Sequence, residues 1–340
     1  MPVSPRSVPI ATFTVNPTVD LSLVVAHLLP EGKSRAQVHS IRGGGGGINV
    51  ARCVRRLGGA AVAVHTCGRE TGARLERLLD DEELAHESIE IAEDTREAFV
   101  LADNAEGRSY HIVAPGPVLT RTEQQRCLDT IAEIAGRCDY FVLSGSATPG
   151  LSEDFSAAVA CTVGARGARL IADIAGAQLT TMLRERVFLL RLDRTEAGAL
   201  LGHPVTTFAD ARAVNTLLLE RGACEHAITT VGALGAVCSD SRAHYELAAP
   251  RLPSPARSDA CAGDSLVAAV AYRLSCGDRM LDACAVGVAA AAATVALPGT
   301  DVFDPATLES LTADIDIVRI SDEGNREDLG HPEKGFQTLG

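Results

Sequence analysis

Hydrophobic runs of two lengths alternate along the second half of the chain. The short runs, rich in β-branched residues, have the length of strands, and the longer segments between them carry apolar residues at helical spacing. The strand-like runs are residues 140–143, 169–173, 187–192 and 227–231, and the helical segments are 121–135, 153–165, 177–185 and 208–221. This alternation predicts an α/β fold in which helices cover both faces of a mostly parallel sheet.

The first half begins in the same way and then changes. Residues 11–15 and 61–67 have the pattern of buried strands, and 49–57 and 72–82 have that of helices. Five further strand-like runs lie at residues 21–25, 36–42, 87–92, 97–102 and 108–113. We expect them to form a separate small sheet, a lid built from about residues 18–42 and 87–113, which also offers a surface for dimerisation.

The last quarter combines helical segments with a polar end. Residues 262–276 have helical periodicity, and the uncharged, alanine-rich run 283–297 is about fifteen residues long, too short to cross a membrane. Asp304 and Pro305 are typical of an N-cap and a first helical position, so a final helix is expected there. Residues 316–340 are polar and are expected to form a loose tail after a single domain, residues 1–315.

Composition narrows the class of protein. The 340 residues are 46% hydrophobic and 22% charged, which is typical of a globular protein with a full core. The 31 lysine and arginine residues against 44 acidic residues give a net charge of −13, which argues against nucleic-acid binding. The ten cysteines form no C-x-x-C motif, and the N-terminus has no apolar segment of signal-peptide length. These features indicate reduced thiols in a cytoplasmic protein without a membrane partner.

Residues 258–265, Ser-Asp-Ala-Cys-Ala-Gly-Asp-Ser, are the strongest candidate for chemistry. They form a loop of small residues that runs directly into a predicted helix, so backbone N–H groups at its mouth are free to hold an anion. Asp264 lies in this mouth, where the helix dipole favours its ionised form. It could accept a proton from a substrate hydroxyl while the amides hold phosphoryl charge. The alternative interpretation is an aspartate that merely caps an ordinary helix.

Two motifs belong to other classes of protein. The glycine run 43–47 contains the G-x-G of dinucleotide-binding folds, but it lacks both the acidic residue about 20 positions later and the Gly-Lys-Ser/Thr of a P-loop. Gly263-Asp-Ser-Leu266 spells the GDSL hydrolase signature, with Ser265 as nucleophile and His331 as base. That signature lies near the N-terminus in its own family, whereas here it lies in the last quarter and His331 is in the predicted tail.

Four charged residues have both a binding and a structural interpretation. Arg96 lies on a predicted lid strand and Lys33 in a turn, where each can contact a substrate phosphate or face solvent. Asp193 and Glu196 follow a strand at a spacing of three residues. They can orient hydrated Mg²⁺, or they can supply favourable charge at a helix N-terminus.

Several motifs occur in the order found in one family. They are Val15-Asn-Pro-Thr-Val-Asp20, Pro30-Glu-Gly-Lys33, Gly43-Gly-Gly-Gly-Gly-Ile-Asn-Val-Ala-Arg52, Thr95-Arg96, Ala114-Pro-Gly116, Ser144-Gly-Ser-Ala-Thr-Pro-Gly150, Gly232 with Gly235, Ala262-Gly-Asp264 and Gly299-Thr300. Through them, residues 11–315 resemble the PfkB/ribokinase-type carbohydrate kinases, most closely their 6-phosphofructokinase-2 branch. The resemblance implies a ribokinase-like three-layer α/β/α sandwich with a small β-sheet lid.

The resemblance also implies roles for individual residues. Asp264 would be the catalytic base, beside an anion hole formed by the amides of Ala262, Gly263 and Asp264, in which Cys261 also lies. The residues expected to bind the sugar phosphate are Asp20, Gly44, Gly45, Asn49 and Arg96, with Lys33 and Ser144 nearby. Arg191, Asp193, Thr230, Gly232 and Gly235 are expected on the ATP side, with Asp193 and Glu196 close to Mg²⁺.

Departures from the family pattern concentrate on the ATP side. The family's Lys-Pro-Asn-x-x-Glu is here Arg191-Leu-Asp-Arg-Thr-Glu196, which replaces a point charge by a rigid guanidinium fork and an amide by the carboxylate of Asp193. Gly-Ala-Gly-Asp is here Cys261-Ala-Gly-Asp264, where a side chain is unfavourable if the backbone needs a positive φ. Asp259 stands where a threonine is expected, and adds negative charge near the ATP phosphates.

The resemblance therefore implies an ATP- and Mg²⁺-dependent sugar-phosphate kinase. The first candidate is a 6-phosphofructokinase of glycolysis, which converts fructose 6-phosphate and ATP to fructose 1,6-bisphosphate and ADP. A 1-phosphofructokinase or a tagatose-6-phosphate kinase is the alternative of the same class, and a catalytically weak sugar-phosphate-binding relative is the alternative of another. A homodimer joined through the lid is expected, and a monovalent cation such as K⁺ is a further candidate cofactor.

Overall fold

The computed structural model describes residues 8–252, 256–321 and 326–332, which fold around two β-sheets. The strands are β1 (Ile10–Thr14), β2 (Thr18–Val25), β3 (Ala36–Gly44), β4 (Ala61–Gly68), β5 (His86–Ile91), β6 (Arg96–Asp103), β7 (Arg108–Val113), β8 (Tyr140–Ser144), β9 (Arg169–Asp173), β10 (Val187–Leu192), β11 (Cys224–Thr230), β12 (Gly235–Ser239), β13 (Ala243–Ala248), β14 (Asp316–Ser321) and β15 (Arg326–Gly330). The helices are α1 (Gly46–Arg56), α2 (Arg69–Asp81), α3 (Arg121–Ala135), α4 (Phe155–Ala165), α5 (Gly176–Met182), α6 (Arg194–Leu201), α7 (Phe208–Glu220), α8 (Ala262–Ser275), α9 (Met280–Val295) and α10 (Pro305–Thr312).

The main sheet has 11 strands in the order β15-β14-β13-β12-β11-β10-β9-β8-β1-β4-β5. The strands from β11 to β5 pair in parallel, and β12 to β15 extend the sheet in antiparallel pairing. One hydrophobic cluster joins the sheet to α1, α2, α8, α9 and α10, and a second joins its other face to α3 through α7. The predicted α/β/α sandwich is confirmed.

The lid is a four-stranded sheet in the order β3-β2-β6-β7. Its two halves come from residues 18–44 and 96–113, close to the predicted boundaries. Residues 87–92 were expected in the lid, but β5 pairs in parallel with β4 at the edge of the main sheet. The reason is burial: Ile89 and Ile91 join the hydrophobic cluster on the face covered by α3, and a lid strand has no such core to enter.

The C-terminal part also differs from the prediction. Residues 316–321 and 326–330 were expected in a loose tail, whereas they form β14 and β15 at the end of the main sheet. Ile317 is buried, and β14 covers an edge of β13 that would otherwise expose unpaired backbone groups. The residues between 231 and 262, for which the pattern predicts no strand, contain β12 and β13. Part of the predicted tail, residues 322–325 and 333–340, lies outside the described residues.

Small residues hold α8 in place. A Cβ added to Gly287 of α9 would lie 2.8 Å from Cγ2 of Val270 on α8, so the two helices pack in close contact. This packing fixes the N-terminus of α8 above the carboxyl ends of the central strands, where ligands of open α/β sheets bind. Within the described ranges, no helix reaches the length and apolarity required to span a membrane.

Candidate active site

Asp264 lies in the first turn of α8, where three elements fix its carboxylate. Nδ2 of Asn49, on α1, donates to Oδ2 at 2.9 Å, and Oγ of Ser144, at the end of β8, donates to Oδ1 at 3.4 Å. Burial raises the pKa of Asp264 to about 6, and the charge of Asp173 acts in the same direction. Such a carboxylate is ionised at neutral pH and basic enough to take a proton from a hydroxyl.

The guanidinium of Arg191 lies beside the N-terminus of α8. Its Nη1 donates to Oδ1 of Asp173 at 3.0 Å, and its Nη2 donates to Oγ1 of Thr230 at 3.0 Å. A Cβ added to Gly263 would lie 2.7 Å from Nη1, so the guanidinium occupies the space that a side chain at 263 would need. Positive charge and the first amides of α8 therefore meet at one point, as an anion hole requires.

Three of the expected sugar-phosphate residues, Asp20, Gly44 and Arg96, lie on the lid strands β2, β3 and β6. A Cβ added to Gly44 would clash with Oδ2 of Asp20, so a side chain at residue 44 would displace that carboxylate. Burial raises the pKa of Asp20 to about 6, against the opposing effects of a Thr18 hydrogen bond and nearby arginines. Nη2 of Arg96 donates to the carbonyl of Asn16 and to Oγ of Ser146, each at 3.2 Å. This region therefore offers a carboxylate for hydroxyl groups and a cation for a phosphate.

The glycine run 43–47 allows the chain's own backbone to approach closely. Gly45 has a φ of 119°, and α1 begins at the next residue. A Cβ added to Gly46 would lie 2.3 Å from Oγ of Ser144 and 2.6 Å from the backbone nitrogen of Gly145. The run thus brings α1, which carries Asn49, against the end of β8.

Lys33 is not joined to this cluster by any contact that the structure shows. It is exposed in the connection between β2 and β3, and within the described ranges its side chain forms no hydrogen bond or ion pair. Its role toward a phosphate stays a prediction from the resemblance.

The residues expected on the ATP side follow β11. Thr230 binds Arg191, and Gly232, with a φ of 58°, lies against Arg194. A cavity of about 870 Å³ opens here between the start of α6 and residues 231–234. Gly235 has a structural reason to be glycine, because a Cβ would clash with the carbonyl of Leu247 in the neighbouring strand.

Asp193 and Glu196 form a capping box at the start of α6. Oδ1 of Asp193 accepts from the amides of Thr195 and Glu196, and Oε2 of Glu196 accepts from the amide of Asp193 at 2.7 Å. The structural interpretation of this pair is thereby realised. Each carboxylate keeps one oxygen outside the box.

The same pair also fits a hydrated Mg²⁺. Burial is the main reason that the pKa of Glu196 is raised to about 7, the charges of Asp173 and Asp193 act in the same direction, and a bound cation would favour the ionised form. Among the described residues no cluster of three or more metal-binding side chains occurs. Mg²⁺ commonly takes one or two protein carboxylates and completes its shell with water and substrate phosphates.

Cys261 occupies the N-cap of α8 in the left-handed region, with a φ of 59° and a ψ of 2°. This is the conformation in which a side chain is unfavourable, and it explains why the family prefers glycine there. Burial raises the pKa of its thiol well above the usual value, so the thiol is neutral and adds no charge to the anion hole. Asp259 is exposed in the preceding loop.

The hydrolase alternative fails on geometry. Ser265 is fully buried, and its Oγ accepts from Oγ1 of Thr294 at 2.9 Å. His331 follows the last strand of the sheet and lies near the carbonyl of Ile315. The two side chains therefore form no nucleophile–base pair.

The family follows from a comparison with known sequences. The model of the pfkB family carbohydrate kinases matches residues 14–307. This chain belongs to that family. Among curated pfkB relatives, the ATP-dependent 6-phosphofructokinase isozyme 2 of Mycobacterium tuberculosis is 35% identical over 86% of this chain and 85% of its own length. The enzyme of the same name from Escherichia coli is 30% identical over 86% and 94%, and a 1-phosphofructokinase of Xanthomonas campestris is 29% identical over 81% and 86%.

Solved pfkB-family structures agree with the fold. Phosphofructokinase-2 of Escherichia coli in complex with potassium has a TM-score of 0.84 at 29% identity, covering 90% of this chain and 98% of that one. The same enzyme has also been solved with fructose-6-phosphate and in a tetrameric inhibited form, each with a TM-score of 0.82 and the same coverage.

Motif reasoning missed parts of the pfkB site. Asp173 ends a predicted strand and was assigned no role. In the structure it accepts a hydrogen bond from Arg191, and its charge raises the pKa of both Asp264 and Glu196. Asn16, which lies in the Val15–Asp20 motif, was assigned no role of its own, yet its Nδ2 donates to the carbonyl of Ala147 at 2.8 Å. The available signal was the shared location of these residues at carboxyl ends of parallel strands.

Proposed function

We propose that this pfkB-family chain transfers the γ-phosphoryl group of ATP to the 1-hydroxyl of fructose 6-phosphate. The observation that carries the proposal is the position of Asp264. Its carboxylate is held by Asn49 and Ser144 at the mouth of α8, directly beside the guanidinium of Arg191. A base for the acceptor hydroxyl and a site for developing phosphoryl charge therefore lie together.

Each group has a defined task in the proposed reaction. Arg96 binds the 6-phosphate and Asp20 orients sugar hydroxyls, so that the 1-hydroxyl points toward Asp264. Asp264 accepts the hydroxyl proton as the oxygen attacks phosphorus. The amides of residues 262–264 and Arg191 hold the charge on the transferred group. Asp193 and Glu196 would hold Mg²⁺ through their carboxylates, and the ion would supply further neutralisation of phosphate charge.

The alternatives remain distinct. The Xanthomonas campestris relative named 1-phosphofructokinase supports fructose 1-phosphate as a second candidate acceptor, and tagatose 6-phosphate differs from fructose 6-phosphate only in stereochemistry. A catalytically weak relative is the third possibility, and its motivation is the set of substitutions at residues 191, 193, 259 and 261.

The test is ADP release from ATP·Mg²⁺, coupled to NADH oxidation, with the three sugar phosphates in parallel and with K⁺ replaced by Na⁺ in a second series. We expect turnover with fructose 6-phosphate, and a loss of kcat of about 10² to 10⁴-fold in Asp264→Asn, because the amide cannot accept the proton. Turnover with a different sugar phosphate would reassign the substrate. Binding without ADP formation by a folded protein would favour the weak relative.

A lid-mediated homodimer in the cytoplasm completes the proposal. One face of the lid carries Val38, Tyr110 and Ile112 with 37% to 61% of their surface accessible, and this exposed apolar patch is a candidate contact surface for a second subunit. All ten cysteines are free, which supports a reducing compartment.

A further inference from the structure

Four neighbouring strands place a row of polar side chains along the carboxyl edge of the main sheet. Ser144, the last residue of β8, lies in register with Asp173, the last residue of β9. The pairing of Leu190 with Ala172 sets Arg191 beside Asp173, and Thr230 ends β11 on the other side of Arg191. The two outer members of this row bind the groups of the site already described, and Asp173 is the member without an assigned role.

Asp173 and Arg191 form a nearly buried ion pair. Their side chains are only 9% and 13% exposed, and Oδ1 of Asp173 lies 3.0 Å from Nη1 of Arg191. A buried pair of this kind is not strong evidence for stability, because desolvation offsets much of the attraction. It does fix geometry, since a planar guanidinium held at both Nη atoms cannot rotate about its axis.

The orientation of Arg191 depends on Asp173 more than on any other contact. Its Nε is buried without a hydrogen-bond partner among the described residues. Thr230 holds Nη2 alone, and a single hydroxyl leaves the guanidinium plane free to turn. Asp173 supplies the second point, and the resulting plane lies against Gly263 in the anion hole.

We propose that Asp173 is a positioning residue for phosphoryl transfer, which acts by holding the guanidinium of Arg191 over Gly263 at the N-terminus of α8. This inference rests on the proposed kinase function and deepens it. Loss of the charge of Asp173 frees Arg191 from its plane, so the transferred group loses a preorganised cation although the cation itself is retained.

A double-mutant cycle tests the coupling between the two residues. The variants are Asp173→Asn, Arg191→Met and the uncharged pair of both. We expect D173N to lower kcat by about a hundredfold while KM for fructose 6-phosphate is unchanged, because displacement of a catalytic group by about 1 Å costs that much. In the R191M background, D173N should not lower kcat further. An equal reduction in both backgrounds, or wild-type kcat in folded D173N, would overturn the proposal.

A second variant separates geometry from charge and guards against a folding defect. Asp173→Glu retains the ion pair but moves the guanidinium by one methylene, so kcat should also fall, and wild-type kcat in D173E would contradict positioning. The matched control is Asp278→Asn, which removes the charge from another partly buried pair, Arg273 with Asp278, at the opposite end of α8. Its kcat should equal that of the wild type.

The pH profile of kcat/KM is a further test, because its acid limb would not shift if Asp173 had only a structural role. The groups facing Asp264 are Asn49, Ser144, Asp173 and Arg191, together with the neutral thiols of Cys53 and Cys261, and among them Asp173 is the one that carries a negative charge. D173N should therefore shift the acid limb of kcat/KM to lower pH, and D278N should leave it in place.

Failure of the kinase proposal is distinguishable from failure of this inference. If the wild type turns over none of the three sugar phosphates, the proposed function fails. The cycle is then measured as ADP affinity by calorimetry. We expect the change in Kd caused by D173N to disappear in the R191M background, and an unchanged Kd, or the same change in both backgrounds, would overturn the positioning role.

Discussion

At the scale of single residues, the basicity of Asp264 results from opposing effects. Burial raises its pKa to about 6, and the hydrogen bond from Asn49 lowers it. Because the ionised carboxylate is the active form, activity is lost as the pH falls through this value. Asn49→Ala removes the stabilising donor and should shift the acid limb of kcat/KM for the sugar phosphate to higher pH. The profile is measured from about pH 5 to about pH 8, around the expected pKa.

Comparing the pH profiles of variants separates the titration of Asp264 from that of the substrate phosphate. A phosphomonoester has a second pKa of about 6, so the substrate contributes to the acid limb in every variant and only differences report on Asp264. Asp278→Asn serves as the control, and its profile should superimpose on that of the wild type. An acid limb of N49A that moves to lower pH would show that Asn49 does not stabilise the ionised carboxylate.

Residue identities in the site were more predictable than residue contacts. Asp264, Asn49 and Ser144 lie in motifs of the family, and the structure brings them together. The Asp173–Arg191 pair could not be predicted, because its members come from different strands and the direction of a long side chain is not encoded in local spacing. The spacing of Asp193 and Glu196 predicted a helix N-terminus as one of two interpretations, and the structure forms a capping box there, whose bonds are both local.

At the scale of elements, the packing of the start of α1 against the end of β8 depends on the absence of a side chain at Gly46. We expect Gly46→Ala to lower the free energy of unfolding by about 1–3 kcal/mol, because the added Cβ would meet Ser144 and the backbone of Gly145. Urea denaturation measures the loss. The matched control is Gly164→Ala in α4, where a Cβ would meet nothing within 4 Å. That change should stabilise the protein by about 1 kcal/mol, and a G46A variant as stable as the wild type would contradict the close contact.

Local patterns predicted elements well where the signals are local. Thr120 and Glu123 have the spacing of a capping box, and the structure forms that box at the start of α3. The helix expected at residues 49–57 begins three residues earlier, at Gly46, because glycines carry no helix-forming signal. The assignment of residues 87–92 to the lid was wrong because an isolated strand pattern does not specify the strand with which it pairs.

At the scale of the whole molecule, the parallel half of the sheet was predictable and its antiparallel extension was not. Strand–helix alternation indicates parallel pairing, whereas among the described elements β11, β12 and β13 follow one another without an intervening α-helix, as do β14 and β15. Their pairing is decided by the need to cover the edge of β11 and of each following strand, which is a property of the assembled sheet.

The lid is the expected dimer interface, since β7 is exposed along its whole length. We expect the wild type to sediment as a dimer of 35.5 kDa chains and Ile112→Glu to sediment as a monomer, because a charge at the centre of an apolar interface stays unpaired and desolvated. Analytical ultracentrifugation gives the mass. Leu329→Glu is the matched control, because Leu329 is also an exposed apolar residue on an edge strand, at the opposite sheet. Dissociation by L329E, with I112E still dimeric, would move the interface from the lid to β15, and a monomeric wild type would remove the dimer from the proposal.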